Sequence, residues 1–330
     1  MKEPRLLELS SLCGISSAEK SVCDFLIHEL EKQSFSCNVD ILGNLIAKRA
    51  GKGKRILIEA HMDQVGMMVS EITENGFVRF SPIGGFDLRV LPSQMVVIHG
   101  RREVRGIVCL HPDADNEELK TIELSRLSID TGLGSEIEQF VSVGDLISFA
   151  SEGFIQNGFC FGKALDNRAC VEAVLSLIEE MDESTALTLL FAVQEEVGHL
   201  GATCADCYED LDLAIVLDVT FGRTHDRSEG TFPCGNGPAI GVGPSVSYEE
   251  TKHFLQVAKD GNLPYQVEAM GGSSGTDAWS IQLLEKGIPT VMLSIPIRYM
   301  HTPTEAFFLD DIRTSVELLS CYIKEVQKDD

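Results

Sequence analysis

The sequence predicts an α/β fold in which helices sandwich a mixed sheet and a small β-rich module is inserted into the sheet domain. The chain has 330 residues, more than the roughly 250–300 residues at which one hydrophobic core stops growing, so a second structural unit is expected. Strand and helix patterns alternate at both ends of the chain, which is typical of a sheet covered by helices. From residue 68 to 158 the helix patterns give way to short strands separated by glycine and proline.

The first segment of the sheet domain contains a helix and then a buried strand. Ser16 and Glu19 have the spacing of a capping box, and apolar residues follow them at helical spacing. The apolar run at 55–60 predicts a strand that leads directly into His61. We therefore expect a helix after the capping box and a strand whose carboxyl end carries a histidine.

The segment 68–158 predicts a separate β-rich module. Asn75-Gly76 lies between apolar residues, which is a strong hairpin signal. Further strand patterns occupy 95–98, 105–110 and 146–149. We expect a sheet domain formed by residues 1–67 and 159–330 and an inserted module formed by residues 68–158.

Alternating strands and helices resume after the module. Helix patterns occupy 167–181, 247–259, 278–285 and 310–326, and apolar strand runs occupy 187–193, 213–217 and 291–294. In α/β sheets the residues that carry function collect at the carboxyl ends of the strands. Polar residues that follow these strands are therefore the first candidates for a site.

The charge balance argues against two classes of partner. The chain has 27 Lys+Arg against 51 Asp+Glu, a net charge of −24. Nucleic acids and anionic membrane surfaces bind basic patches, so neither is expected as a partner. The N-terminus lacks the apolar core of an export signal, and the apolar run 186–193 is far shorter than the roughly 20 residues of a membrane span. The ten cysteines are scattered, as in reduced cytosolic proteins, so we expect a cytoplasmic location.

Acidic and histidine residues stand at the ends of the predicted strands and at one predicted helix start. They are His61 with Asp63, Asp166, Glu195 with Glu196, Asp218 and His301. Each alone has an ordinary interpretation, since an aspartate before a helix is usually an N-cap and adjacent glutamates are usually solvated. Together, histidine and carboxylate donors without cysteine favour a metal such as zinc or cobalt.

Two local spacings refine this hypothesis. His61 and Asp63 are two residues apart at the end of a strand, so both side chains face the same way and Asp63 can orient the imidazole. Glu195 and Glu196 are adjacent and point apart, so one can bind a metal while the other faces the substrate.

The order of these motifs resembles the cocatalytic metallo-aminopeptidases of the glutamyl aminopeptidase and TET type over essentially the whole chain. The resemblance implies a zinc-exopeptidase-like catalytic domain over 1–67 and 159–330, and a small β-barrel-like dimerisation domain over 68–158. It implies Asp166 as the bridging metal ligand, His61, Glu196, Asp218 and His301 as the other ligands, Glu195 as the general base and Asp63 as the residue that orients a histidine. It also implies two divalent ions per subunit, zinc or cobalt, and peptide substrates with a free N-terminus. The chain would self-associate as a dimer or as a larger homo-oligomer such as a dodecamer.

Some residues near the motifs depart from the family pattern or carry no clear role. Gln64, His199 and Leu200 replace more usual residues, and none of them is an implied ligand. The segment 275–278 resembles a glycine-rich active-site segment of the family. A turn before a helix explains those residue types equally well, so we assign it no catalytic role.

The charges of the implied site balance only when metal is bound. Asp166, Glu196 and Asp218 bring three negative charges, a bridging hydroxide brings a fourth, and two divalent ions bring four positive charges. Without ions, two carboxylates about 4 Å apart repel by roughly 4 kcal/mol at an effective dielectric constant of about 20. By analogy, His61 pairs with Asp218 on one ion, and His301 pairs with Glu196 on the other. Glu195 would take a proton from a water bound between the ions and pass it to the leaving amine.

Three other functions remain open from the sequence. An endoglucanase-like glycoside hydrolase needs two carboxylates about 5–9.5 Å apart and leaves both histidines without a role. A non-catalytic assembly or regulatory protein would be favoured by an incomplete ligand set, and every implied ligand is present. Another two-metal exopeptidase or amide hydrolase would differ in whether its substrate needs a free α-amine or a free carboxylate.

Overall fold

The fold combines a large mixed sheet, helices on both of its faces, and a closed barrel. The computed structural model describes residues 1–111, 122–225 and 230–328. The helices in this part of the chain are α1 (Glu3–Ser11), α2 (Lys20–Glu31), α3 (Leu165–Glu180), α4 (Leu200–Cys204), α5 (Tyr248–Asp260), α6 (Ala278–Ile281) and α7 (Leu309–Val326). The strands are β1 (Ser36–Val39), β2 (Leu45–Arg49), β3 (Lys52–His61), β4 (Gly66–Ile72), β5 (Val78–Ile83), β6 (Met95–His99), β7 (Glu103–Leu110), β8 (Leu127–Asp130), β9 (Leu146–Phe149), β10 (Phe154–Gln156), β11 (Phe159–Gly162), β12 (Thr185–Ala192), β13 (Leu213–Phe221), β14 (Ala239–Val242), β15 (Gln266–Ala269), β16 (Thr290–Arg298) and β17 (Glu305–Phe308).

The large sheet has eleven strands among the described residues. Its main order is β1-β2-β12-β3-β13-β16-β17-β11-β10, and β14 pairs with both β15 and β16. Neighbours within the central group β12-β3-β13-β16 are parallel, whereas the pairs further out along this order are antiparallel. The sheet is therefore mixed, as predicted, and the carboxyl ends of its four central strands lie along one edge.

Helices cover both faces of the sheet because the side chains of each central strand alternate between two apolar cores. In β3, Ile56 and Ile58 pack into a core shared with α1, α2, α3, α5 and α7. Leu57, between them, packs into the opposite core with α4 and α6. This arrangement confirms the predicted helix-covered sheet. Within the described residues, no helix combines the length and apolar character that crossing a membrane requires.

Six strands between Gly66 and Phe149 form the closed barrel β4-β5-β8-β7-β6-β9. The predicted hairpin at Asn75-Gly76 joins β4 to β5, and Gly76 has φ of 80°, the left-handed conformation that such a turn requires. Apolar side chains from all six strands fill the barrel, which confirms the β-barrel-like insertion. Strand β10, at the end of the segment 68–158, pairs with β11 in the large sheet.

Three local features differ from the sequence-based expectations. The capping box is wrong, because Glu19 occupies the N-cap of α2 without a capping bond from its side chain and the Ser16 hydroxyl donates to Asp63 Oδ2 at 2.6 Å instead. The helix expected over 278–285 ends at Ile281, before the backbone turns at Glu285 with φ of 53°. Helix α1 was not predicted, because it has few apolar residues and one of its buried residues, Arg5, is charged.

Candidate metal centre

The candidate ligands lie at the edge where the four parallel strands end. His61 is the last residue of β3. Asp218 lies in the neighbouring strand β13, which continues three residues past it to Phe221, so this aspartate does not close its strand as the sequence suggested. Glu196 follows β12, His301 follows β16, and Asp166 is at the start of α3. Parallel pairing brings these distant segments together, since it aligns their carboxyl ends.

The five side chains form two groups that share one residue. In the first group, His61 Nε2 lies 3.3 Å from Asp166 Oδ1 and 3.6 Å from Asp218 Oδ1. In the second, His301 Nε2 lies 3.2 Å from Asp166 Oδ2 and 3.4 Å from Glu196 Oε2. In each group the candidate ligand atoms lie within 4.8 Å of one another. Asp166 therefore offers one oxygen to each group.

These residues fit a divalent metal by chemistry and by electrostatics. Imidazole nitrogens and carboxylate oxygens are the donors that zinc and similar ions accept. The Oε1 atom of Glu196 is buried with no hydrogen-bond partner among the described residues, which leaves it free to bind a cation. Burial raises the pKa of Asp218 to about 6, and burial together with the charge of Asp166 raises the pKa of Glu196 well above its usual range. Bound cations would offset both costs.

The same carboxylates raise the pKa of both histidines. Burial lowers the pKa of His301, but its hydrogen bond to Asp166 and the charges of Glu196, Asp166 and Glu305 together outweigh burial and raise that pKa to about 10. Burial also opposes protonation of His61, yet its bonds to Asp166, Asp218 and Asp63 raise its pKa well above the usual range. The surrounding carboxylates thus favour positive charge at this place in the fold.

Asp63 connects the first group to the strand end that carries both glutamates. Its Oδ1 lies 3.2 Å from His61 Nδ1 and accepts the backbone N–H of Glu195 at 3.0 Å. Its Oδ2 accepts the Ser16 hydroxyl and the backbone N–H of Glu196, the latter at 3.2 Å. Burial opposes ionisation of Asp63, but its hydrogen bond with His61 lowers its pKa. One carboxylate therefore contacts an imidazole and holds the backbone of two candidate site residues.

Glu195 lies between two histidines, one of which the sequence marked only as a departure from the family. Its Oε2 is 4.0 Å from His61 Nε2, and its Oε1 is 3.2 Å from His199 Nε2. Gln194, just before it, has φ of 58°, a left-handed conformation that costs a non-glycine residue of order 1 kcal/mol. The turn separates Glu195 from the end of β12 and directs its side chain toward the metal groups.

Glu305 hydrogen-bonds to the backbone of two residues of the second group, and the sequence analysis did not identify it. Its Oε2 accepts the backbone N–H of Asp166 at 2.9 Å, and its Oε1 accepts that of His301 at 2.8 Å. His301 has φ of 59°, so this bond stabilises an unfavourable backbone conformation. Glu305 begins the short strand β17, and no pattern in the sequence indicates that it reaches two remote segments.

A cluster of histidine and carboxylate side chains at the carboxyl edge of a mixed sheet is the kind of site at which hydrolases hold divalent cations. The family described as M42 glutamyl aminopeptidase matches residues 43–318. The chain belongs to this family and is a metal-dependent aminopeptidase. The resemblance inferred from the motifs is confirmed.

Curated relatives match along nearly their full length. A putative aminopeptidase of Acetivibrio thermocellus is 36% identical, over 95% of this chain and 96% of the relative. A lysyl aminopeptidase of Pyrococcus furiosus is 30% identical, over 95% of this chain and 94% of the relative.

Solved structures share the whole fold. The Pyrococcus horikoshii TET1 peptidase, described as assembling into a tetrahedron or a large octahedral shell, matches with a TM-score of 0.84 and 27% identity, over 96% of this chain and 98% of that one. A protein described as an endoglucanase, from Thermotoga maritima, matches with a TM-score of 0.78 and 28% identity, over 97% of this chain and 99% of that one.

Proposed function

We propose that this aminopeptidase acts through two divalent cations that share Asp166. The observation that carries the proposal is that the two oxygens of Asp166 face different imidazoles, at 3.3 Å from His61 Nε2 and 3.2 Å from His301 Nε2. Asp218 would complete the first site and Glu196 the second. A carboxylate between two such groups is the usual bridge of a two-metal site.

The residues of the chain then have distinct roles in peptide hydrolysis. When bound, the ions supply a nucleophilic water at neutral pH and polarise the scissile carbonyl. Glu195 is not needed as a ligand, and its Oε2 faces the first group, so it serves as the general base that takes a proton and returns it to the leaving amine. Asp63 keeps His61 in the tautomer that presents Nε2. His199 Nε2, 3.2 Å from the other oxygen of Glu195, restrains the base.

We propose zinc or cobalt as the ions, since the donor set combines imidazole and carboxylate without thiolate. The test begins with metal-stripped enzyme, to which zinc, cobalt or magnesium is returned singly. We expect elemental analysis to find two ions per chain. We also expect the loaded enzyme to hydrolyse aminoacyl anilides and to leave their N-acetylated analogues intact. One bound ion at full activity would contradict the two-metal site.

The base is tested separately by Glu195→Gln. This variant should keep both ions and lose roughly 10²–10⁴-fold or more of its turnover, because it removes proton transfer but no ligand. Near-normal turnover would contradict the role of Glu195.

The glycoside hydrolase alternative is retained because one similar structure is described as an endoglucanase. The contacts between each histidine and two carboxylates favour peptide chemistry, since glycosidic cleavage by a carboxylate pair leaves the histidines without a task. Chelator-sensitive cleavage of an aminoacyl anilide, with no cleavage of a glucan by the same preparation, would eliminate this alternative.

We further propose that residues 1–67 and 159–330 form the catalytic domain, and that the module 68–158 mediates self-association as a dimer or a larger homo-oligomer such as a dodecamer. Two exposed apolar side chains support this, Met95 on β6 and Ile107 on β7, which are register partners on the barrel surface. We also propose a cytoplasmic location, because all ten cysteines are free.

A further inference from the structure

The cleft over the metal centre contains one carboxylate that the mechanism does not use. Glu268, on the short strand β15, lines the same cleft as His61, Asp166 and Glu195. Its Oε1 accepts the hydroxyl of Thr220 at 2.7 Å. Glu268 is therefore held against β13, the strand that also carries the ligand Asp218.

This carboxylate has hydroxyl neighbours but no cationic partner in the cleft. Glu268 Oε2 is buried and lies outside strict hydrogen-bond geometry with any described donor, and the Ser294 hydroxyl is the neighbour that stabilises its charge. No lysine or arginine lines the cleft in the part of the chain that the structure describes. Burial raises the pKa of Glu268, although the hydroxyls of Thr220 and Ser294 oppose this shift. A half-buried carboxylate that has only hydroxyl partners can accept a further, charge-assisted hydrogen bond from a cation.

The position of Glu268 matches the reach of a long side chain. Asp218 and Thr220 are two residues apart on β13, and both line the cleft, so they lie about 6–7 Å apart on one face of the strand. A four-carbon lysine stem can span this separation. Met292, which is buried and lines the same cleft, offers an apolar surface for the stem.

We propose that Glu268 binds the cationic side chain of the first substrate residue, so that the enzyme prefers peptides beginning with lysine or arginine. This inference rests on the two-metal aminopeptidase mechanism proposed above and names its substrate class. An acidic first residue would meet a like charge at Glu268, and a small apolar residue would leave the carboxylate unpaired. A purely structural role, in which Glu268 only ties β15 to β13, would affect every substrate alike.

The test compares lysyl, arginyl, leucyl and glutamyl anilides with the metal-loaded enzyme. The wild-type chain should have a higher kcat/KM for the two basic substrates than for the other two. In Glu268→Gln the amide oxygen can still accept from Thr220, but the charge is gone. The ratio of lysyl to leucyl kcat/KM should fall by about 10–100-fold, mainly through KM of the lysyl substrate.

The control is Glu249→Gln, which removes the same charge from an exposed position in α5 and should leave the ratio unchanged. Metal-dependent cleavage of the leucyl substrate without a preference for basic residues would overturn the recognition by Glu268 and leave the aminopeptidase proposal standing. An equal loss on all substrates in Glu268→Gln would also overturn it, in favour of a structural role. If none of the four substrates is cleaved, both proposals fail.

Discussion

At the scale of single residues, Asp63 makes four contacts in the site although it belongs to neither candidate metal group. It accepts from the backbone of Glu195 and of Glu196, contacts the imidazole of His61, and receives the hydroxyl of Ser16. All four contacts need acceptor oxygens. An amide in its place has one acceptor and one donor end, so it cannot satisfy them together.

Asp63→Asn should therefore weaken metal binding without unfolding the chain. Loss of such an outer partner typically reduces metal affinity by about 10–100-fold, and turnover should fall because Glu195 is also displaced. Competition with a chelator measures the affinity. Ser16→Ala is the control, since it removes only one of the four contacts and should have a smaller effect. Unchanged affinity in Asp63→Asn would mean that the backbone alone orients His61.

The shared ligand is tested by comparing two aspartates. Asp166→Ala should reduce metal occupancy at both sites, whereas Asp218→Ala should reduce it mainly at one, because only Asp166 faces both histidines. Elemental analysis of the purified variants gives the ion count. Loss of a single ion in both variants would contradict the bridging role of Asp166.

At the scale of secondary-structure elements, one buried arginine fixes α1 onto the helix that begins at the metal centre. Arg5 donates from Nε and Nη2 to the two oxygens of Glu172 on α3, at 2.7 and 2.9 Å. It also donates to Glu179 at 2.5 Å and lies 3.4 Å from Glu29 on α2. Glu172 is fully buried. Three helices therefore depend on one guanidinium.

Arg5→Leu should lower the free energy of unfolding by about 3–5 kcal/mol, because it leaves Glu172 buried and unpaired. The double variant Arg5→Leu with Glu172→Leu should recover much of this loss, since no isolated charge remains. Thermal or urea unfolding measures both variants. A double variant that is as unstable as the single one would show that packing of the arginine stem, and not its charge, holds α1.

The elements that could be predicted from the sequence are those with a recognisable pattern in a short stretch of residues. The strand before His61 is an apolar run, the hairpin at Asn75-Gly76 has a turn signature, and the ligands follow buried strands. The features it missed depend on contacts between remote segments. Glu305 supports His301 and Asp166 only because β17 folds back along β16, and such registry leaves no local pattern. Ser16 resembled a cap because its true partner lies in another segment.

At the scale of the whole molecule, the barrel is inserted between two segments of the chain that form the large sheet. None of the candidate ligands belongs to the barrel. Met95 and Ile107 face each other across the ladder of β6 and β7 and are 61% and 50% exposed. Two adjacent apolar side chains with this exposure are the place on the barrel where the assembly proposed above is tested.

Met95→Lys combined with Ile107→Glu should shift the protein to smaller species while both metal ions stay bound. Light scattering coupled to chromatography gives the size, and elemental analysis gives the metal content. Val143→Glu, at another exposed apolar position of the module, is the matched control and should not change the size. Metal loss without a change in size would mean that the module shapes the active site and does not mediate assembly.

The spread of the ligands along the chain has a consequence for synthesis on the ribosome. The first candidate ligand is His61 and the last is His301, and His301 follows β16, the last of the four parallel strands to be made. A growing chain can therefore fold its barrel and part of its sheet while the second metal group lacks its histidine. Metal binding stabilises only the folded site, so the ions favour completion of the sheet at the end of translation. With the two-metal site proposed above, a nascent chain would have no complete metal centre until its synthesis is nearly finished.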